Sequence, residues 1–189
     1  PVYALPVIQD GVAYFGSSDR HFYALDLKTN TPLWKFPTQG EVGSPAAVGP
    51  DTLFFGSNDS HLYAVSRTDG KEKCKISTGH NSVVRGRPLL EADTVYVGAS
   101  SGKFYALAAD TGQACWTFTA GGPILSSPAL ANGRLFFGAN DHNCYALELS
   151  TGRVIWTRPT LNQVYASPAL AGNLVCFGST DGGYYVLDQ

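Results

Sequence analysis

Methionine is absent from this sequence, charged residues are scarce, and no long hydrophobic run occurs. Charged side chains account for 15% of the 189 residues and the formal net charge is −2, so long-range attraction favours neither nucleic acid nor an anionic membrane as a partner. No apolar stretch approaches the roughly 20 residues that a membrane-spanning helix needs. The chain shows no signal peptide and begins at Pro1, and we therefore expect it to be part of a larger chain.

What the sequence does contain is a unit of about forty residues. Each unit has an apolar strand that closes on a glycine, a polar turn and an aromatic strand, and four units add a further strand. The five units start at Pro6, Pro45, Pro88, Pro128 and Pro168, and their closing glycines are Gly16, Gly56, Gly98, Gly138 and Gly178. Short strands repeated at this period, without helical periodicity, predict an all-β propeller built of four-stranded antiparallel blades.

The predicted domain covers residues 1–189, with blades at about 5–41, 42–84, 85–124, 125–164 and 165–189. The fifth blade lacks a fourth strand, and two arrangements are open. The blades either close into a five-bladed ring, with Pro1–Leu5 patching the gap, or form an arc of a larger propeller with seven or eight blades. An open arc would expose apolar blade faces and allow self-association.

The repeated residue types each have a structural reason. We predict that the prolines lie in the first strand of each blade, which is an edge strand at the propeller axis and can lack an N–H. Aspartates in the polar turns suit hairpin dihedral angles, and they are Asp19, Asp59, Asp141 and Asp181. The large side chains in the fourth strands are suited to packing one blade on the next, and they are Trp34, Trp116 and Trp156.

Residues 106–116 and 146–156, each with a Thr-Gly followed four residues later by tryptophan, resemble the tryptophan-docking motif of quinoprotein propellers. The chain is thus identified as similar to the pyrroloquinoline-quinone-like (PQQ-like) repeat family. That resemblance implies a propeller and an extracytoplasmic location, periplasmic or secreted. Its founding enzymes are dehydrogenases that hold the quinone and Ca²⁺ in a central funnel, and several use a disulfide between adjacent cysteines.

The residues present do not match that enzymatic pattern. The cysteines are separate, at Cys74, Cys115, Cys144 and Cys176, and the hairpin aspartates are spread around the ring instead of converging on one calcium ion. No serine-nucleophile motif, pair of carboxylates or phosphate-binding loop is present. We therefore predict no catalytic residue, no metal site and no cofactor, neither PQQ nor Ca²⁺. The alternative is a fragment or relative of a PQQ- and Ca²⁺-dependent dehydrogenase.

The cysteines replace apolar residues of the repeat, and this predicts buried thiols that act as small hydrophobic side chains. Free thiols are less common in an oxidising compartment, which argues mildly against the location that the resemblance implies.

The longest connection between blades, residues 77–87, is the candidate functional loop. It carries His80, Arg85 and Arg87, and a guanidinium group suits a carboxylate or phosphate. The alternative is that Arg87 pairs with a neighbouring acidic side chain. Equivalent connections place Glu41, Asn162 and Tyr165 on the same end of the propeller. A surface of this mixed composition predicts a non-enzymatic scaffold that binds a protein or peptide.

Overall fold

The computed structural model describes residues 1–189 as nineteen β-strands without a helix. The strands form five antiparallel sheets in which consecutive strands are neighbours, four sheets with four strands and a last one with three. Each sheet coincides with one sequence unit, so the predicted all-β blade architecture is confirmed. With no helix in the chain, there is no helix that could cross a membrane.

The strand bounds follow the repeat. Blade 1 has β1 (Val7–Gln9), β2 (Val12–Gly16), β3 (His21–Asp26) and β4 (Thr31–Pro37). Blade 2 has β5 (Ala47–Val48), β6 (Thr52–Ser57), β7 (His61–Ser66) and β8 (Glu72–Ser77). Blade 3 has β9 (Leu89–Glu91), β10 (Thr94–Gly98), β11 (Lys103–Ala108) and β12 (Ala114–Thr119). Blade 4 has β13 (Ala129–Ala131), β14 (Arg134–Gly138), β15 (Asn143–Glu148) and β16 (Val154–Pro159). Blade 5 has β17 (Ala169–Ala171), β18 (Leu174–Gly178) and β19 (Tyr184–Asp188).

The repeated prolines lie outside the first strands, so the prediction that these strands contain them is wrong. Four prolines immediately precede β1, β9, β13 or β17, and Pro45 lies two residues before β5. Because each strand starts after its proline, the missing N–H removes no hydrogen bond from the ladder.

The hairpins between second and third strands share a backbone conformation more than a residue type. The fourth residue after each closing glycine has a positive φ, between 68° and 85°, and these residues are Arg20, Ser60, Gly102, His142 and Gly182. Glycine occupies this left-handed position in only two blades. The turns that the sequence predicts are therefore present in all five units.

Buried side chains between consecutive blades form the core. Three clusters of ten buried residues lie between blades 1 and 2, 2 and 3, and 3 and 4. Two clusters of only three residues lie between blades 4 and 5, because blade 5 has no fourth strand and no further blade behind it. The fifth blade is therefore the least buried part of the fold.

The fourth-strand tryptophans lie at these interfaces, as predicted. Each of them pairs across the ladder with a fully buried alanine, as Trp34 does with Ala24 and Trp116 with Ala106. The register shifts directly after that alanine, which is a β-bulge. A small residue opposite the indole ring leaves room for the ring to reach the next blade.

Four of the closing glycines are required because the segment that leads to the next blade packs directly against them. A Cβ atom at Gly56 would lie 2.3 Å from Cβ of Val84, and one at Gly98 would lie 2.2 Å from Cγ2 of Ile124. Gly16 and Gly138 have the same arrangement against Val42 and Val164. Gly178 alone has no atom within 4 Å of such a Cβ, because no connecting segment covers it.

The five blades form an open arc. No hydrogen bond, ion pair or core cluster joins blade 1 to blade 5. Pro1–Leu5 do not patch blade 5, since the N–H of Ser18 donates to the carbonyl of Pro1 at 2.9 Å and fixes this segment on blade 1. Tyr184 and Val186 on the free face of blade 5 are 72% and 50% exposed. The hypothesis of a closed five-bladed ring is therefore wrong for this chain.

The four cysteines are free, and they differ in burial. Cys144 is buried, Cys74 and Cys176 are partly buried, and Cys115 is exposed. The prediction of buried thiols fails at Cys115 because side chains alternate along a strand, and Trp116 takes the face towards the next blade.

Candidate partner-binding surface

The segments that connect one blade to the next run in extended conformation beside the following hairpin. In the segment before blade 3, Val84 and Gly86 are buried, whereas Arg85 and Arg87 are exposed. The alternation arises because Val84 fills the space above Gly56 and so turns its neighbours outwards. Both arginines therefore project from the same side of a segment held by the core.

A hydrogen bond fixes the register of every connecting segment. The residue two positions after each closing glycine donates its N–H to a carbonyl of the connecting segment at 2.8–3.0 Å. The donor and acceptor pairs are Ser18 with Pro1, Asn58 with Glu41, Ser100 with Val83, Asn140 with Pro123, and Thr180 with Gln163. Two residues after each acceptor lies a position that we call the connecting row: Tyr3, Gly43, Arg85, Leu125 and Tyr165. Tyr3 and Tyr165 are 78% and 46% exposed.

The connecting row contains two predicted residues and two that were not predicted. Arg85 and Tyr165 occupy equivalent positions on blades 3 and 5. Tyr3 and Leu125 share this position, and the forty-residue period extended back into Pro1–Leu5 was the signal that could have identified Tyr3.

Arg87 follows Arg85 by two residues and lies just before β9, the first strand of blade 3. Its Nε donates to the carbonyl of Ala46 at 3.0 Å, and it lines a hollow of about 300 Å³ with Leu89 and Ser127. Neither Arg87 nor Arg85 forms an ion pair, so the alternative of an acidic partner for Arg87 is wrong. Both guanidinium groups keep N–H donors available for a carboxylate.

Hydrogen bonds along the inner edge hold the connecting segments against one another. Ser44 Oγ donates to the carbonyl of Gly86 at 3.0 Å, and the N–H of Arg87 donates to Ser127 Oγ at 2.8 Å. The N–H of Ser127 donates to Ser167 Oγ at 2.8 Å. The serines before the prolines thus connect blades 2 to 5 and give the surface a rigid base.

His80 lies in an insertion. Thr38 and Thr160 donate through Oγ1 to the carbonyl two residues ahead, whereas Thr78 donates to the carbonyl of Ser82, four residues ahead, at 2.7 Å. The two extra residues form an exposed turn that carries His80, whose ring makes no hydrogen bond. This turn explains the greater length of the 77–87 connection.

Glu41 and Asn162 contribute to the surface mainly through the backbone. Both side chains are exposed, and the carbonyl of each residue accepts a serine hydroxyl, from Ser57 and Ser179 respectively. The Asn162 side chain accepts the N–H of Gln163 at 2.9 Å, which leaves its amide nitrogen free to donate.

The hairpin aspartates do more than shape turns. Asp59 accepts the Tyr63 hydroxyl at 2.7 Å and, from the preceding blade, the N–H of Gln39 at 2.9 Å. Burial opposes ionisation of Asp59, but the bonds from Tyr63, Gln39 and His61 outweigh it and hold the pKa of Asp59 below its ordinary value of 3.8. Each such carboxylate thus links two blades.

The same arrangement recurs in two other blades. Asp141 and Asp181 accept the hydroxyls of Tyr145 and Tyr185 at 2.6 and 2.8 Å, and the N–H groups of Gly121 and Leu161 in the preceding connections. In blade 3 the turn has no aspartate, and Tyr105 donates instead to the carbonyl of Thr78 at 3.0 Å. The sequence signal was a tyrosine four residues after each hairpin aspartate.

The donor sets that a quinone- and calcium-dependent enzyme would use do not occur together here. No group of three or more histidine, cysteine, aspartate or glutamate side chains lies close enough to hold a metal ion. The aspartates that a calcium ion would need are engaged in separate hairpins, and the residues present do not fit such a site.

A family model described as outer membrane protein assembly factor BamB matches residues 1–117 and again residues 75–189, which together span the chain. This chain belongs to that family. The match also confirms the PQQ-like repeat resemblance, since the BamB family is built from these repeats. No curated protein sequence matches the chain.

Solved structures share the fold at low sequence identity. BamB from Moraxella catarrhalis superposes with a TM-score of 0.86 at 21% identity, over 99% of this chain and 61% of that protein. The computationally designed Ika8 protein gives 0.86 at 19% identity, over 97% of this chain and 57% of Ika8. Quinohemoprotein alcohol dehydrogenase from Comamonas testosteroni superposes with a TM-score of 0.84 at 17% identity, over 100% of this chain and 41% of that enzyme. This BamB-like chain spans about 40–60% of the length of these proteins.

Proposed function

We propose that this chain is a non-enzymatic binding module and that it binds an extended segment of a partner protein along the connecting row. The observation that carries the proposal is the exposure of Arg85 and Tyr165 at one repeated position, without a charged partner for the arginine. Arginine and tyrosine are the residue types most often found at the energetic centre of protein interfaces. A rigid scaffold with exposed connecting segments is a common base for such sites.

The chemistry of the row defines the partner segment. Arg85 and Arg87 would bind a carboxylate by charge-assisted hydrogen bonds, while Tyr165 and Leu125 would contact apolar or aromatic side chains. The segment we propose is therefore acidic at one point and apolar on either side. Because the BamB family is described as an outer membrane assembly factor, we propose that the partner acts in outer membrane protein assembly and that this chain works in the periplasm.

Site-specific photo-crosslinking in the source cell tests this proposal. A crosslinking amino acid at Tyr165 should trap the partner, whereas one at Lys28, exposed in the turn at the opposite end of blade 1, should not. Charge reversal by Arg85→Glu with Arg87→Glu should abolish the Tyr165 crosslink, and Lys28→Glu should leave it intact. Equal crosslinking from both positions, or a crosslink that survives the double reversal, would contradict the proposal.

A further inference from the structure

The interface between blades 2 and 3 departs from the others at one position. Trp34, Trp116 and Trp156 face the next blade in the other three interfaces, and Cys74 takes that place here. The cysteine lies opposite Ala64 just as the tryptophans lie opposite their alanines, so the backbone register is unchanged. Only the side chain that fills the interface differs.

Two intact interfaces, those of Trp34 and Trp116, show what an indole ring meets at this position. Nε1 of Trp34 donates to the carbonyl of Arg67 at 3.1 Å, and Nε1 of Trp116 donates to the carbonyl of Leu149 at 3.0 Å. A tyrosine ring of the same blade lies about 6 Å from each indole, since the centroid distances are 6.2 Å for Tyr14 and 5.9 Å for Tyr96. The ring therefore has an aromatic wall and one backbone acceptor.

Both of these elements persist between blades 2 and 3 without the indole. Phe54 is the counterpart of the wall tyrosines, and Ala109 is the counterpart of Arg67 and Leu149. The carbonyl of Ala109 accepts no hydrogen bond from the protein. Cys74 Sγ and the Ile76 side chain cover Gly112, as the rings of Trp34 and Trp116 cover Gly70 and Gly152. Neither Cys74 nor Ile76 supplies an N–H donor.

A truncation at position 109 leaves space beside Phe54 and the carbonyl of Ala109. The Arg67 side chain occupies the equivalent space between blades 1 and 2, where it bonds to Asp10 and to the Tyr14 hydroxyl. Leu149 packs on the core between blades 3 and 4. Position 109 is alanine, and a cleft of about 870 Å³ opens there, lined by Phe54, Leu90, Ala108 and Ala109 among others. This volume is within the range of small-molecule sites.

The rim of the cleft is acidic. Asp51, Asp93 and Asp110 line it with exposed carboxylates, against one cation, Lys73, whose Nζ donates to Thr52 Oγ1 at 2.6 Å. The three acidic groups outnumber the lysine, so a ligand that carries positive charge is favoured. The cleft is built by the turns at the opposite end of the blades from the connecting row, so it is separate from the proposed protein-binding surface.

We propose that this cleft binds an indole ring that carries a positive charge, as in tryptamine. The ring packs on Phe54, its N–H donates to the carbonyl of Ala109, and the cation lies among Asp51, Asp93 and Asp110. The same chemistry is available from a free indole amine or from a tryptophan flanked by lysines on a peptide. The ligand thus uses the aromatic wall and the carbonyl acceptor that an indole side chain uses in two other interfaces.

Calorimetric titration with tryptamine tests the site, with indole-3-acetate as the charge-reversed control. We expect saturable one-to-one binding of tryptamine and binding of indole-3-acetate weaker by about tenfold or more, since opposite charges meet the acidic rim. Phenethylamine, which has the charge but no ring N–H, should also bind more weakly. Absence of saturable tryptamine binding, or equal binding of the three compounds, would overturn the proposal.

Two substitutions should close the cleft with residues that other interfaces already use. Cys74→Trp installs the missing indole, and Ala109→Leu installs the side chain found at position 149. Each should abolish tryptamine binding and raise or preserve the melting temperature, while Cys74→Ala should keep the affinity. Unchanged tryptamine binding to both closing variants would refute this location. A blocked Lys-Trp-Lys peptide compared with tryptamine separates the two sources, because the natural form of the ligand should bind more tightly.

Discussion

Replacement of Gly138 by alanine should destabilise the protein, whereas the same replacement of Gly178 should not. The two glycines close equivalent strands, β14 and β18, and neither has a positive φ. They differ in what covers them. A Cβ atom at Gly138 would lie 2.3 Å from Cγ1 and 2.6 Å from the carbonyl oxygen of Val164, and one at Gly178 would meet nothing within 4 Å.

The expected magnitudes follow from two opposing effects. Overpacking against a backbone atom costs about 1–3 kcal/mol, because the connecting segment cannot move without breaking its own hydrogen bonds. Alanine in a strand recovers about 0.5–1 kcal/mol relative to glycine through the reduced entropy of the unfolded chain. Gly138→Ala should therefore lower the free energy of unfolding by about 1–2 kcal/mol, and Gly178→Ala should raise it by about 0.5 kcal/mol.

Urea unfolding followed by circular dichroism measures both variants against the unchanged protein. The dependence of the unfolding free energy on urea should stay constant in both cases, so that the midpoint reports stability alone. Equal effects of the two substitutions would refute the argument that the connecting segment of the next blade is what requires glycine. A neutral Gly138→Ala would refute it as well.

Three further changes test other contacts. Trp116→Ala should cost about 2–4 kcal/mol in chemical denaturation and Trp156→Ala less, because Trp116 donates to Leu149 whereas Trp156 makes no hydrogen bond; equal losses would contradict this. Because the folded-state pKa of Asp59 is below 3.8, its ionised form stabilises the fold above that pH, and this contribution is lost as pH falls through the folded-state pKa. Asp59→Asn should therefore cost about 2 kcal/mol at pH 6 and progressively less as pH falls below 3.8, in melts with Asp51→Asn, an exposed carboxylate without a hydrogen-bond partner, as the control. Iodoacetamide at pH 8 should modify exposed Cys115 and spare Cys144, whose pKa is raised by burial to about 12; equal labelling of native protein would contradict the burial.

Much of the fold could be predicted because the repeat shows most residue types three to five times. The closing glycines and the interface tryptophans each have one physical reason, which holds where a following blade packs on them, although blade 2 has Cys74 in place of tryptophan. The position of the prolines was not predictable in this way, because a proline inside an edge strand and one just before it fit the same pattern.

The candidate surface was only partly predictable. The repeat placed Arg85 and Tyr165 on one end of the propeller, but their equivalence depends on hydrogen bonds such as that from Ser100 to Val83, which sequence does not reveal. The same is true of the link between Asp59 and Gln39. The cleft beside Ala109 could not be predicted from the sequence, because it depends on the strand register and on the packing of the neighbouring blade. The replacement of a tryptophan by a cysteine does not by itself indicate a cavity.

The hydrogen bonds that join two blades connect consecutive blades only, and most of them span short, repeated distances along the chain. The aspartate links join residues 20 apart, the tryptophan links residues 33 apart, and two of the inner-edge serine links residues 40 apart. A blade can consequently dock on its predecessor as soon as it has been synthesised, without waiting for distant sequence. Duplication or loss of one whole unit would leave every remaining junction with its own partners. Propellers of this construction can thus change length in evolution by single units, each new junction inheriting contacts that already work.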